Sequence, residues 1–460
     1  MNDTRKILCH FSFYDQVRIQ EKLEEMAAQG WMIQQPGNFT WTFTRMEPKT
    51  LRFAVTYFPA ASEFDPAPTE GELRKMDFCA QDGWTLAAKW GVMQIFYNED
   101  ENAVPIETDP VAQVANVKKA MKKNVLLTHF LTAALVVYYM VFQFSMFRRD
   151  PVEYLSDPLQ LYQIPMWVCL LLSSLYEIGF YFYWTNKAAK IAEEDGVFFP
   201  IKSHMRASYF LLIFSTLLMV FSVSSSKVHL LFIPVWYGVI FLITVLANTI
   251  KQKLKKNGAS RSVNLAVSIG SILILTILFI GTLVALIINT DIHLFKSNKP
   301  VGSYEYHGRQ HDILNDPIPL EIEDLMDLEG SWSKERDHQE TGLISYTEYD
   351  QRALLTEPQE IPDLSYAITD IKVSPLRSYI RHAVLRSRQD EVHNDFIFMD
   401  HYEPIDPSLW NADEAYQLHW SDSVLNTYLV FWDDRIVEIK FYWDPTAEQI
   451  AKAAEILRPS

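Results

Sequence analysis

The chain has 460 residues, a formal net charge of −16 and only three cysteines, and 49% of its residues are hydrophobic. That length has room for two soluble domains around an apolar middle, and the acidic balance argues against nucleic acid, whose phosphates require a basic surface. The acidity is uneven: residues 1–123 carry a net −3, residues 124–290 a net +5 and residues 291–460 a net −18.

Residues 1–110 read as an α+β domain with an internal repeat. A strand-like run at 6–13 leads to a helix ending at Gly30-Trp31, then to two short strands, the second alternating with period two over 39–43. A second run at 51–58 leads to a helix ending at Gly83-Trp84, 53 residues further on, and to two more strands through 94–97. Ile19, Leu23 and Met26 share a face of the first helix, and Leu73, Met76 and Ala80 a face of the second. Thr69 and Glu72 fit a capping box, and each glycine suits the left-handed turn that ends a helix. A β-α-β-β unit used twice predicts a ferredoxin-like sheet with both helices on one face. Trp31, Trp41, Trp84 and Trp90 are expected in its core; an aromatic ligand groove is the other reading.

Phe11-Ser-Phe13, the helix end EEMAAQGW at 24–31 and the aromatic strand after it resemble DUF2812, a bacterial family of unknown function. The resemblance covers about residues 6–120. It implies transmembrane helices after this domain and a neighbouring transcription regulator of the PadR type, and it implies no activity, cofactor or site residue.

Residues 111–123 form a helical linker with Val111, Val114, Val117 and Met121 on one face, running into the first of five apolar segments. These segments, at about 124–147, 161–184, 207–223, 229–249 and 263–289, are of membrane-crossing length, since a helix needs about 20 apolar residues to pass the hydrocarbon core. Thirteen Lys and Arg residues border the segments on the N-terminal side of the predicted membrane, against three on the other. The positive-inside rule therefore predicts a cytoplasmic N-terminus and, after five crossings, an extracytoplasmic C-terminus. No leader peptide is evident in the run at 7–13, so the first crossing is expected to direct insertion.

Residues 291–460 are acidic and proline-punctuated yet rich in aromatics, which predicts a folded α+β domain. It holds none of the cysteines, which are Cys9, Cys79 and Cys169, and must fold without disulfides. A hairpin at 427–443 turns at Asp433-Asp434, a strand covers 343–349, one helix starts at Ser374-Pro375, and a Thr446/Gln449 box opens a final helix.

No P-loop, dinucleotide, nucleophile-elbow, zinc-protease or CxxC pattern occurs, so neither catalysis nor a cofactor is expected. Glu177 is the one acidic residue well inside an apolar segment; at that depth a carboxylate faces a bundle interior or a water-filled path, with His129, Ser173 and Ser174 as candidate partners. His307 and His311 have the four-residue spacing of metal ligands on a helix, but Gly308 between them favours a solvated loop. His393, Asp395, Asp400 and His401 are a second candidate cluster, and the acidity around them makes such clusters common. Lys372, Arg377, Arg381, Arg386 and Arg388 could meet anionic lipid, although ordinary surface ion pairs are the simpler role. The expectation is a multi-pass membrane protein of regulatory or sensory type, with lipid and a protein at the cytoplasmic domain as partners. A transport component with Glu177 in its pathway is the alternative, and an envelope enzyme built on the outer histidines a third reading.

Overall fold

A computed structural model describes residues 3–8, 11, 15–37, 40–201, 205–225, 232–289, 300–328, 330–355, 361–391, 400–420 and 423–459. The chain divides into two compact units: Met1–Val137 with Trp167–Thr216 and Pro234–Asp291, and Tyr138–Met166 with Leu217–Ile233 and Ile292–Ser460.

The first unit begins with β1 (Thr4–Leu8), α1 (Gln16–Ala28), β2 (Trp31–Gln35) and β3 (Thr40–Arg45), then repeats the pattern as β4 (Arg52–Tyr57), α2 (Glu70–Gln81), β5 (Thr85–Trp90) and β6 (Met93–Asn98). The expected single ferredoxin-like sheet is not formed. Each repeat closes its own antiparallel three-stranded sheet, in the orders β1-β3-β2 and β4-β6-β5. β2 and β5 run close to one another, but each carries a bulge against its own partner, between Ile33 and Gln35 and between Leu86 and Ala88. A bulge bends the strand and interrupts its ladder locally, and no ladder joins β2 to β5 among the described residues. The bulges are 53 residues apart, like Gly30 and Gly83, whose φ values are +81° and +80°. At Gly30 a Cβ would meet the Met46 carbonyl oxygen at 2.8 Å, so only glycine fits there.

The two helices pack differently. Ile19, Leu23 and Met26 of α1 are buried as expected, but on α2 Leu73 is 48% exposed and the inward face consists of Glu72, Met76 and Cys79. Glu72 stands 53 residues after Ile19, and Gln94 stands 53 after Trp41. The second repeat thus buries polar groups where the first buries apolar ones. Burial opposes ionisation of Glu72, but hydrogen bonds from Lys89 and the Thr69 backbone, together with the Lys89 charge, outweigh it and hold the carboxyl below its usual range. The same carboxylate closes the capping box with Thr69 and accepts a 3.4 Å hydrogen bond from Gln94 Nε2.

Beyond the sheets come α3 (Pro110–Met121), a π-helical turn (Lys122–Leu126), α4 (Leu127–Arg149), α5 (Pro151–Ser156), α6 (Pro158–Glu194), α7 (Met205–Ser225), α8 (Phe232–Lys256) and α9 (Arg261–Asn289). Among the described residues three helices are long and apolar enough to cross a membrane: Pro110–Arg149, Pro158–Glu194 and Arg261–Thr282, with a shorter apolar helix at Ala207–Ser222. Val111 is exposed, whereas Val114, Val117, Ala120 and Met121 of α3 join a core with Ile19, Tyr57, Trp184 and Ala188. Lys251 at the end of α8 pairs with Glu63 at 2.9 Å, and Asn264 Nδ2 of α9 donates to the Phe64 carbonyl at 3.1 Å.

The second unit is built on a seven-stranded antiparallel sheet rather than the few elements legible in advance. After the hairpin β7 (Gly302–Tyr306) and β8 (Arg309–Ile313) and the short α10 (Ile322–Leu325) come β9 (Trp332–Glu340), β10 (Ile344–Ala353), β11 (Leu364–Ile371), α11 (Ser374–Glu391), β12 (Asp400–Ile405), β13 (Glu414–Trp420), β14 (Ser423–Phe431), β15 (Arg435–Phe441) and α12 (Ala447–Leu457). The order is β12-β13-β14-β15-β11-β10-β9, so α11 carries the chain from the sheet's interior to its far edge. α12 covers one face over Trp410, Val430, Val437 and Ile439. α11 and α5 cover the other: Val152, Tyr154 and Leu155 pack against Ile344, Ile380 and Phe431, and Thr341 Oγ1 donates to the Leu155 carbonyl at 2.7 Å. Asp150 caps α5 and Pro151 opens it.

Lys89→Met should destabilise the first unit by about 3 kcal/mol, because it leaves the Glu72 carboxylate buried without its countercharge, whereas Glu72→Ile with Lys89→Met should cost less than half as much. Denaturant unfolding followed by amide exchange in α2 checks this. Because the folded carboxyl of Glu72 is the more acidic, its stabilisation is present above pH 4.5 and should fade as the pH falls below that value.

Candidate functional site

The first unit encloses a cleft of about 630 Å³ between the second sheet and the long helices. The β5–β6 hairpin brings Trp90 and Gly91 to it, the loop after β4 brings Glu63 and Phe64, and the π-helical turn brings Lys123. Glu177 of α6, Ser208 of α7 and His129 of α4 add to its polar lining. Glu177 is 3% exposed and therefore the most buried of the charged groups there. It lies within electrostatic range of His129, as expected, and also of Tyr209. Ser173 is instead hydrogen-bonded to Ser208, Oγ to Oγ at 2.8 Å. Lys123 Nζ donates to the Ala61 carbonyl at 3.0 Å. Of the four tryptophans expected in the core, Trp41 and Trp84 are buried there; Trp31 is half-buried beneath Arg5 and Arg45, and Trp90 faces the cleft.

His307 and His311 do not share a helix. They belong to the β7–β8 hairpin, in which His307 (φ 51°) and Gly308 (φ 75°) make the two-residue turn between paired Tyr306 and Arg309. His311 lies in β8, its ring stacked on Tyr304 with centroids 5.3 Å apart. Among the described residues no three His, Cys, Asp or Glu side chains are grouped to hold a metal ion. His393 and Asp395, like Cys9, lie outside the described residues; His401 instead pairs with Glu403 at 2.9 Å. In the basic run, Lys372 just before α11 pairs with Glu340, and on α11 Arg377 pairs with Asp433 and Arg381 with Asp413 at 3.5 Å, while the Arg388 side chain lies outside the described residues.

The cleft draws on elements from both repeats and from the helices that follow, and that combination bears on relationship. Residues 15–131 match the DUF2812 family model, described as a protein of unknown function. The DUF2812 segment takes in the first repeat from α1 onward, the whole second repeat, α3, the π-helical turn and the start of α4. It supplies Phe64, Trp90, Lys123 and His129 to the cleft, whereas Glu177 and Ser208 come from beyond it. No curated protein and no solved structure matches the chain.

Sequence reasoning placed His129 beside Glu177 but had no means of joining Trp90 to them, because the cleft's walls lie up to 200 positions apart in the chain. His307→Gly should leave thermal stability within about 1 kcal/mol of wild type or raise it, since glycine adopts this turn conformation without strain. A calorimetric comparison, with and without added zinc, separates that turn role from metal ligation.

Proposed function

We propose that the chain is a multi-pass membrane protein of regulatory or sensory type, with five crossings joining a cytoplasmic DUF2812-like domain to an extracytoplasmic acidic domain. The observation that carries this reading is the continuous helix Pro110–Arg149. Val114, Val117 and Met121 belong to a core of the first unit, and Met146 and Phe147 to a core of the second, where Phe147 stacks on Tyr379 of α11. A helix rooted at both ends transmits a displacement rather than absorbing it. The π-helical turn at Lys122–Leu126, a geometry frequent at functional sites, is the point at which its register can adjust.

The parity of the connectors supports the five-crossing topology. The connector at 150–157 forms α5 and packs on the C-terminal sheet, and four of the apolar segments separate the two in sequence, an even number. The end of α6 and the α8–α9 connector pack with the N-terminal domain, two and four segments after it. These pairings come from packing alone, yet they sort the connectors as the Lys and Arg distribution does. In this reading lipid surrounds the long helices, and a protein partner meets the cytoplasmic domain at α2, where Leu73 and Phe78 are exposed.

A second reading, a transport component, is favoured by Glu177 lining the cleft. Hydrogen exchange on the full chain in lipid nanodiscs separates the two. Under the coupling reading, Phe147→Ala should change amide protection across 110–121 by roughly threefold or more. Unchanged protection there, together with loss of solute movement in Glu177→Gln, would favour transport.

A further inference from the structure

We infer that the cleft lined by Glu177 and Trp90 binds a lipophilic organic cation. Its polar and apolar groups are arranged for such a ligand. Glu177 is a carboxylate held at 3% exposure, and no arginine lines the cleft. Of the two other charged groups of the lining, Lys123 Nζ donates to the Ala61 carbonyl and Glu63 pairs with Lys251 at 2.9 Å. In its ionised form a carboxylate there repels an anionic ligand and attracts a cationic one, and a cationic ligand favours that form; low surrounding polarity strengthens these effects.

The walls fit the rest of the molecule. Trp90 presents an aromatic ring, whose face attracts cations, as the Phe11 and Phe64 rings of the same lining do for Arg18 at 5.5 Å and Lys251 at 5.8 Å. Leu127 and Leu212, which also line the cleft, are 54% and 38% exposed on the long apolar helices, so an apolar substituent has a surface to lie along. A strongly hydrated inorganic ion would gain little from these walls, while a bulky ammonium or phosphonium gains from both charge and area. Binding requires only the first unit, so it stands or falls independently of coupling along the helix Pro110–Arg149.

The test is equilibrium dialysis of radiolabelled tetraphenylphosphonium against the purified full chain in maltoside micelles, with empty micelles subtracted. Saturable one-site binding is expected, weakened about tenfold or more by Glu177→Gln and severalfold by Trp90→Leu. Glu177→Asp, which keeps the charge, should retain binding and guards against a folding defect in the glutamine variant. Triphenylphosphine oxide, of similar shape and uncharged, should not compete. Binding that does not saturate, that survives Glu177→Gln and Trp90→Leu unchanged, or that triphenylphosphine oxide displaces equally well would overturn the inference.

Discussion

The packing of α3 into the N-terminal domain is the contact on which the rest of the structure depends. Val114, Val117, Ala120 and Met121 are each at most 4% exposed, and they meet residues of α1, β4 and α6 in one core. Each large apolar side chain buried in this way contributes roughly 1.5–3 kcal/mol, so pulling the helix free costs several kcal/mol. Coupling energies between sites are typically only about 1–3 kcal/mol. The anchor is therefore stronger than any signal it would convey, which is the condition for a helix to act as a link rather than as a hinge. The far end is held by similar means, through Met146, Phe147 and the α5 residues Val152, Tyr154 and Leu155.

The duplicated domain assigns different tasks to its two halves. In the first repeat Ile19 and Trp41 fill the core; in the second the matching positions are Glu72 and Gln94, held by Lys89 and Thr69. A buried ion pair of this kind adds less stability than an apolar pair but penalises any arrangement that leaves a partner alone. It fixes α2 over its own sheet and leaves Leu73 and Phe78 outward. The β5–β6 hairpin of that second sheet is also the part that reaches the cleft, through Trp90. The more polar repeat is thus the one that meets the cleft and carries the exposed apolar surface.

Much of this was legible in the chain. The 53-residue repeat, the two Gly-Trp turns, the Thr69/Glu72 and Thr446/Gln449 caps, and the 427–443 hairpin rest on local chemistry and appear where local rules put them. What depended on non-local pairing was not legible. The bulges at Ile33/Gln35 and Leu86/Ala88, and the closing of each repeat into its own sheet, leave no mark in composition or periodicity. The inward face of α2 was misassigned because an apolar Leu73 outranks Glu72 in any reading of hydrophobic pattern, while Lys89, the residue that makes Glu72 buriable, is 17 positions away. The docking of α5 had a signal that went unused: Asp150-Pro151 as a helix start, followed by Val152, Tyr154 and Leu155 as an apolar face. The cleft itself draws on positions from Phe11 to Leu212, so beyond the pairing of Glu177 with His129 only its separate members could be singled out beforehand.

The measurement that tests the central claim most directly is the side of the membrane on which each folded part lies. Ser408 and Lys49 are both exposed, in the second and first units. In a background without Cys9, Cys79 and Cys169, Ser408→Cys and Lys49→Cys would each be exposed to a membrane-impermeant thiol reagent, first in intact cells and then after lysis. The account predicts labelling of Ser408→Cys in intact cells and of Lys49→Cys only after lysis. Labelling of both only after lysis, or the reverse pattern, would contradict it, because the helix Pro110–Arg149 could then no longer join two domains across a membrane in the proposed sense.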